Sequence, residues 1–290
     1  MQIGMQCLPC FVNQVLKTCE SVKLDQQTSR RVMKRVLTVL ADFESIDGTV
    51  LMARQIQQIL REETGIADLF YDAKEHANSW MQQVLSGMFN GGLPDSFVEA
   101  LQLAVAGNII DLGAIPDLSA EQVNQTLSNV KHAGFAIDHS AEFEKALQKA
   151  ENILYIGDNA GEIVFDKMLV SMLPKGKVTF ATRGKPVLND ITRADAISVG
   201  MNDVCKIVDT GIDIPGVVLD KSSDEFLAVW DKADLVIAKG QGNFESLYEN
   251  CGKKLVFFLF MTKCQRVAKL IDRKIGDYIV LKHGAHNLSI

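Results

Sequence analysis

Asp158 and Asn159 follow directly on Ile153-Leu-Tyr-Ile-Gly157, an apolar run suited to a buried strand, and lead into Gly161-Glu162. Ligands of parallel α/β folds sit outside the carboxyl ends of the strands, where loops present side chains and the next helix offers unpaired N–H groups. The oxygens of an adjacent Asp-Asn pair suit a hard divalent cation such as Mg²⁺ or Mn²⁺, whose shell a phosphate ester would complete. The same pair serves equally well as the N-cap and turn of a helix. On these residues alone the two readings stand even.

Two further polar clusters follow candidate strands. One is Arg183-Gly-Lys-Pro-Val-Leu-Asn189-Asp190-Ile-Thr192; the other is Lys239-Gly240-Gln-Gly242-Asn243-Phe-Glu245. If both lie on the rim that carries Asp158, then Asp158, Asn159 and Asp190 could hold a cation. Lys239 and the N–H groups of the glycine turn could then hold phosphate oxygens, with Glu162, Arg183, Gly240 and Asn243 around the substrate. Each piece also has a plain reading: Lys239 as a solvated strand end, Gly240 and Gly242 as turn residues with positive φ. Glu245 stands where a dinucleotide-binding Gly-x-Gly-x-x-Gly string needs its third glycine, and no Walker-type Gly-Lys-Ser/Thr occurs. Asn108 and Asp111, three apart on one helical face, either close the site from the other half of the chain or end a helix; spacing favours the helix end.

The elements that must position these residues change character near residue 150. From Cys7 to about 150, apolar residues recur at helical spacing, as in Val12, Val15, Leu16 and Cys19, which predicts six or seven helices. Breaks fall at Asn90-Gly-Gly-Leu-Pro94, Asp117-Leu-Ser-Ala and His132-Ala-Gly134. Beyond 150, short β-branched and aromatic runs alternate with helix-length segments. Candidate strands are Asn152 to Gly157, Val178 to Thr182, Lys206 to Thr210, Asp234 to Ala238, Leu255 to Phe260 and Tyr278 to Leu281. The expectation is an α/β protein: a helical region, 1–150, packed on a Rossmann-like core, 151–290, whose mostly parallel sheet of about six strands has helices on both faces.

The balance of 36 acidic against 30 basic residues, a formal charge of −6, offers no global attraction to nucleic acid or anionic membrane, so a small molecule is the expected partner. Apolar runs such as Lys254-Leu-Val-Phe-Phe-Leu-Phe260 fall far short of the roughly 20 residues that cross a bilayer. The N-terminus lacks the basic and apolar regions of a secretory signal, so cytoplasmic residence with reduced cysteines is expected. Of the six cysteines only Cys7-Leu-Pro-Cys10 has suggestive spacing. One such pair is half of a zinc or redox site, with Cys19, His76, His132 or His139 to complete it, or simply two small residues at a helix start; the structural use is favoured two to one. His283 and His286 read as a polar tail, since no serine nucleophile elbow accompanies them.

Cys-Leu-Pro-Cys, Ala-Gly-Asn-Ile-Ile-Asp at 106–111, Gly-Asp-Asn-Ala-Gly-Glu at 157–162, Lys-Pro-Val-Leu-Asn-Asp-Ile-Thr at 185–192 and Lys-Gly-Gln-Gly-Asn-Phe-Glu at 239–245 occur in that order. Together they resemble the damage-control metal-dependent phosphatases, first catalogued as domain of unknown function 89, in the compact prokaryotic branch with an N-terminal Cys-x-x-Cys. The resemblance implies hydrolysis of phosphate monoesters (sugar phosphates, damaged nucleotides or related metabolites) supported by Mn²⁺, Co²⁺, Ni²⁺ or Mg²⁺. It implies a metal on Asp158, Asn159 and Asp190, phosphate near Lys239 and Asn243, and substrate near Asn108 and Asp111. Either water or Asp158 itself would attack phosphorus. The competing readings are an S-adenosylmethionine-dependent carboxyl methyltransferase, for which a glycine-dense loop after the first strand is missing, and a non-enzymatic metal or redox module built on Cys7 and Cys10.

Overall fold

The computed structural model describes residues 1–107 and 134–285. In chain order the strands are β1 Ile137–Asp138, β2 Ile153–Ile156, β3 Val178–Thr182, β4 Lys206–Asp209, β5 Leu235–Lys239, β6 Val256–Met261 and β7 Tyr278–Lys282. The helices are α1 Cys7–Ser21, α2 Gln26–Ala41, α3 Thr49–Thr64, α4 Tyr71–Phe89, α5 Phe97–Ala106, α6 Ser140–Lys149, α7 Glu162–Ser171, α8 Arg193–Ser198, α9 Asp224–Lys232, α10 Gly240–Leu247 and α11 Gln265–Leu270. No described helix is long and apolar enough to cross a membrane.

The strands form one sheet in the order β1-β7-β6-β5-β2-β3-β4. The pairs from β4 through β3, β2 and β5 to β6 are parallel, β6 and β7 are antiparallel, and β1 lies parallel to β7. All six strands expected from sequence are present within a residue or two of their bounds. β1 is the addition: two residues are too few to show a period of two, and only pairing with β7 makes them a strand.

All four residues of β2 and all five of β5 are buried, because both faces of the sheet are covered. Alternation sorts their side chains. Tyr155, Phe180, Ile237 and Phe257 pack under α4, α5, α6 and α7, while Leu154, Ile156, Val236 and Phe258 pack against α9, α10 and α11. The change of sequence texture at residue 150 is not a packing boundary. Only α1 to α3 build a core of their own, around Val15, Val36 and Ile56, whereas α4 to α6 and β1 join the layers of the sheet. α5 carries apolar residues on every side, Leu101, Leu103, Ala104 and Val105 among them, and so belongs inside rather than on an exposed cap.

The α1–α3 bundle is tied to the sheet by polar contacts at the same end. Arg54 and Arg61 both pair with Asp213, Arg61 also donates to the Pro186 carbonyl at 2.9 Å, and Thr49 bonds Glu245 on α10. From β2 the chain steps outward to β3 and β4, then crosses back to β5 on the other side of β2. The carboxyl ends of β2 and β5 therefore flank a point where strand order reverses, the position at which open α/β sheets bind ligands.

Candidate active site

The loops after β2 and β3 are joined by main-chain bonds, and these create the site. Ile191 N–H donates to the Asp158 carbonyl at 2.9 Å, Ala160 N–H to the Asn189 carbonyl at 3.0 Å, and Asn159 and Asp190 form an isolated antiparallel bridge. Residues 30 apart in sequence thus place their side chains together. Gly157 permits the approach, since a Cβ there would lie 2.6 Å from Phe180 Cζ. Neither Asp158 nor Asn159 caps α7, whose N-cap is Gly161 with no side-chain bond.

Arg183, at the end of β3, is 1% exposed and reaches three partners. Nε donates to Asp190 Oδ2 at 2.6 Å, Nη2 lies 3.4 Å from Asp158 Oδ1 and Nη1 lies 3.3 Å from Asn243 Oδ1. Asn243 Nδ2 in turn donates to the carbonyls of Lys239 at 2.6 Å and Gly157 at 3.2 Å, locking the ends of β2 and β5 together. Asn159 Nδ2 donates to Asp158 Oδ2 at 2.6 Å and Glu162 Oε2 at 3.2 Å. These two bonds engage the nitrogen of the Asn159 amide and not its oxygen.

Lys239 is fully buried rather than a solvated strand end. Its ammonium donates to Glu162 Oε1 at 2.6 Å, to the Ala104 carbonyl of α5 at 2.9 Å, and to Asp166. Three acceptors take its three donors in this arrangement. An ammonium at the end of a buried strand needs anionic partners, and α7 supplies two. Gly240 has φ +76°, and a Cβ there would overlap the Asp158 carboxylate, so its hydrogen makes room for that side chain.

Three contributors were not singled out from sequence. Asp166 binds Lys239 and accepts from Tyr155 Oη at 2.7 Å, and Asn78 Oδ1 on α4 accepts from Gly161 N–H at 2.7 Å. A signal for Asp166 existed: it follows Glu162 by four residues on a helix rich in apolar residues, Ile163, Val164, Phe165, Met168 and Leu169 among them. Asn78 left no trace in a helical pattern. Asn108, Asp111 and His286 lie outside the described residues.

Burial, then the charges of Asp190 and Glu162, push the Asp158 carboxyl up to about 8 against the pull of Arg183 and Lys263. Asp190 is also raised by burial, with Arg183 opposing, and Asp166 is raised by burial to about 6 although Lys239 opposes it. Lys239 is raised: burial disfavours its charge, but Asp166 and Glu162 outweigh that. Four buried carboxylates are thus bonded to two cations, Arg183 and Lys239. Among the described residues no three His, Cys, Asp or Glu side chains are arranged to hold a metal ion; the oxygens gathered here are those of two carboxylates, Asp158 and Asp190, and of the Asn159 amide. An all-oxygen, acid-rich set of this kind suits a hard divalent cation.

An acidic, oxygen-lined centre at the switch point of a three-layer α/β fold is of a kind suited to a small ligand and to phosphoryl chemistry. The family model described as the damage-control phosphatase ARMT1-like domain matches residues 3–279, and the chain belongs to that family. It is 32% identical to the damage-control phosphatase PH1575 of Pyrococcus horikoshii, covering 98% of this chain and 99% of that protein. It is 27% identical to a damage-control phosphatase of Archaeoglobus fulgidus, over 96% and 98% of the two chains. An uncharacterized protein of Methanocaldococcus jannaschii, MJ0202, is 31% identical over 97% of this chain and 96% of its own. The crystal structure of the DUF89 family protein of P. horikoshii superposes with a TM-score of 0.87 at 31% identity, covering 98% and 99% of the chains. The chain is therefore a damage-control phosphatase by family.

Proposed function

We propose that the chain hydrolyses small phosphate monoesters, such as sugar phosphates, damaged nucleotides or related metabolites, at a centre formed by Asp158, Asn159 and Asp190. The observation that carries this reading is the convergence of those three oxygen donors through the paired β2 and β3 loops. A divalent cation held there, Mn²⁺, Ni²⁺, Co²⁺ or Mg²⁺, would polarise a phosphoryl oxygen and acidify a water. The protein's own residues fix the geometry. Arg183 clamps Asp190 and Asp158, Asn243 holds Arg183, and Glu162 orients the Asn159 amide. Lys239 keeps Glu162 and Asp166 in place from behind.

Both carboxylate oxygens of Asp158 are engaged, Oδ1 by Arg183 and Oδ2 by Asn159, which favours a ligand and orienting role with water as the nucleophile. Gly107 seats the end of α5 on α7, since a Cβ there would lie 3.5 Å from Glu162 Cα. Six free cysteines fit a cytoplasmic setting. The test is hydrolysis of p-nitrophenyl phosphate by chelator-stripped protein with each metal added back, beside Asp158→Ala and Asp190→Ala. Activity that returns with metal in the parent protein alone supports the reading. Metal-independent turnover, or full activity in both variants, would overturn it.

A further inference from the structure

Cys7 and Cys10 form the first turn of α1, three residues apart and so on one helical face; Cys10 is exposed and Cys7 half-buried. Arg266 Nη1 stands 3.8 Å from Cys7 Sγ. It reaches that sulfur through space left by Gly4, where a Cβ would lie 2.7 Å from Nη1. Gly4 also turns the chain into α1, its carbonyl accepting Cys7 N–H at 2.8 Å. Arg266 belongs to the first turn of α11, whose N-cap is Cys264, and Cys264 Sγ accepts from Val267 N–H at 3.4 Å and Gln241 Nε2 at 3.5 Å. The starts of α1 and α11 thus bring three thiols and a guanidinium together. The Cys10 thiol is raised by burial and by the neighbouring Cys264 and Cys7.

The zinc reading of Cys7 and Cys10 loses ground here, because no three metal-binding side chains are arranged as ligands among the described residues. Sulfur redox chemistry needs only the pair. We propose that Cys7 and Cys10 are a redox-active dithiol that hydroperoxides close to a reversible disulfide, with Arg266 holding positive charge against the attacking Cys7 sulfur. The Cys7 thiolate attacks the peroxide, the O–O bond breaks, and the alcohol leaves after taking a proton. Sulfur is oxidised to the sulfenic acid while the peroxide is reduced. Cys10 then attacks Cys7 Sγ, the S–O bond breaks, and hydroxide leaves as water with the Cys10 proton, forming the S–S bond. A dithiol reductant restores both thiols by exchange. A Cys10 held protonated until this second step is suited to the resolving role, and its exposure admits the reductant. The pair is separate from the Asp158 centre and does not depend on its chemistry.

The experiment treats reduced full-length protein with tert-butyl hydroperoxide, alkylates the remaining thiols and maps peptides by mass spectrometry. A Cys7–Cys10 bridge that dithiothreitol reverses is expected, and Cys19→Ser should form it unchanged. Cys10→Ser, checked for folding by circular dichroism, should stop at a Cys7 sulfenic acid trapped by dimedone. Arg266→Gln should slow bridge formation several-fold. Retention of all alkylatable thiols, bridging of Cys10 to Cys264 instead, or oxidation confined to Cys19, Cys205 or Cys251 would overturn the assignment.

Discussion

Gly240 shows how closely the candidate site is packed. Its positive φ and the overlap of any Cβ with the Asp158 carboxylate make alanine there doubly unfavourable. Gly240→Ala should push Asp158 out of line and lower kcat by roughly 100-fold or more, as misplacement of reacting groups by about 1 Å does; wild-type kcat in the variant would show that Asp158 is not needed where it stands. Glycine at 240 was legible only as a turn former, because its partner Asp158 is 82 residues away. Asp158 and Asn159 stood out in the sequence as an acid and an amide ending an apolar strand. Whether they cap the next helix was not legible there, because it depends on where the side chains turn.

At the scale of elements, α7 presents Glu162 and Asp166 to the end of β5, and Lys239 is the buried cation between them. Removing it strands two carboxylates in a dry layer. Lys239→Met should therefore cost about 3–5 kcal/mol of stability by urea unfolding, the usual effect of breaking a buried ion pair from one side. The α1–α3 bundle is held differently, by Asp213 with Arg54 and Arg61, whose guanidiniums are partly exposed. Burial pushes Asp213 up, but the bonds from the two arginines outweigh it and hold the carboxyl below the usual range. A folded value under the unfolded 3.8 means the stabilisation is full above about pH 4 and is lost as pH falls through the folded value. Asp213→Asn should accordingly be about 1–2 kcal/mol less stable than the parent at pH 7, with the gap narrowing as the pH falls below the unfolded 3.8. A gap that stays unchanged through acid titration until the protein unfolds would refute the ionic account.

For the whole molecule, the proposed cation would link binding to folding. An ion that binds only the folded chain at 100 times its Kd adds about 2.7 kcal/mol, a rise in Tm of roughly 5–10 °C for a chain of this size class. Mn²⁺ should raise the Tm of the chelator-stripped protein and leave Asp158→Ala unmoved; an equal rise in both would place the ion elsewhere. The sequence by itself determined the α/β alternation, six of the seven strands and the polar clusters behind β2, β3 and β5, because strand and helix periods are local properties of neighbouring residues. Five ordered motifs likewise carried the family resemblance that the full-length matches confirm. What only the tertiary structure decided are relations between distant segments. These are the bridge that brings Asp190 to Asn159, the burial of Lys239 between two acids, the Arg266 guanidinium at Cys7, and the membership of α4 to α6 in the layers of the sheet. Each rests on strand order and on which side chains find partners once water is excluded, and neither is written in local spacing.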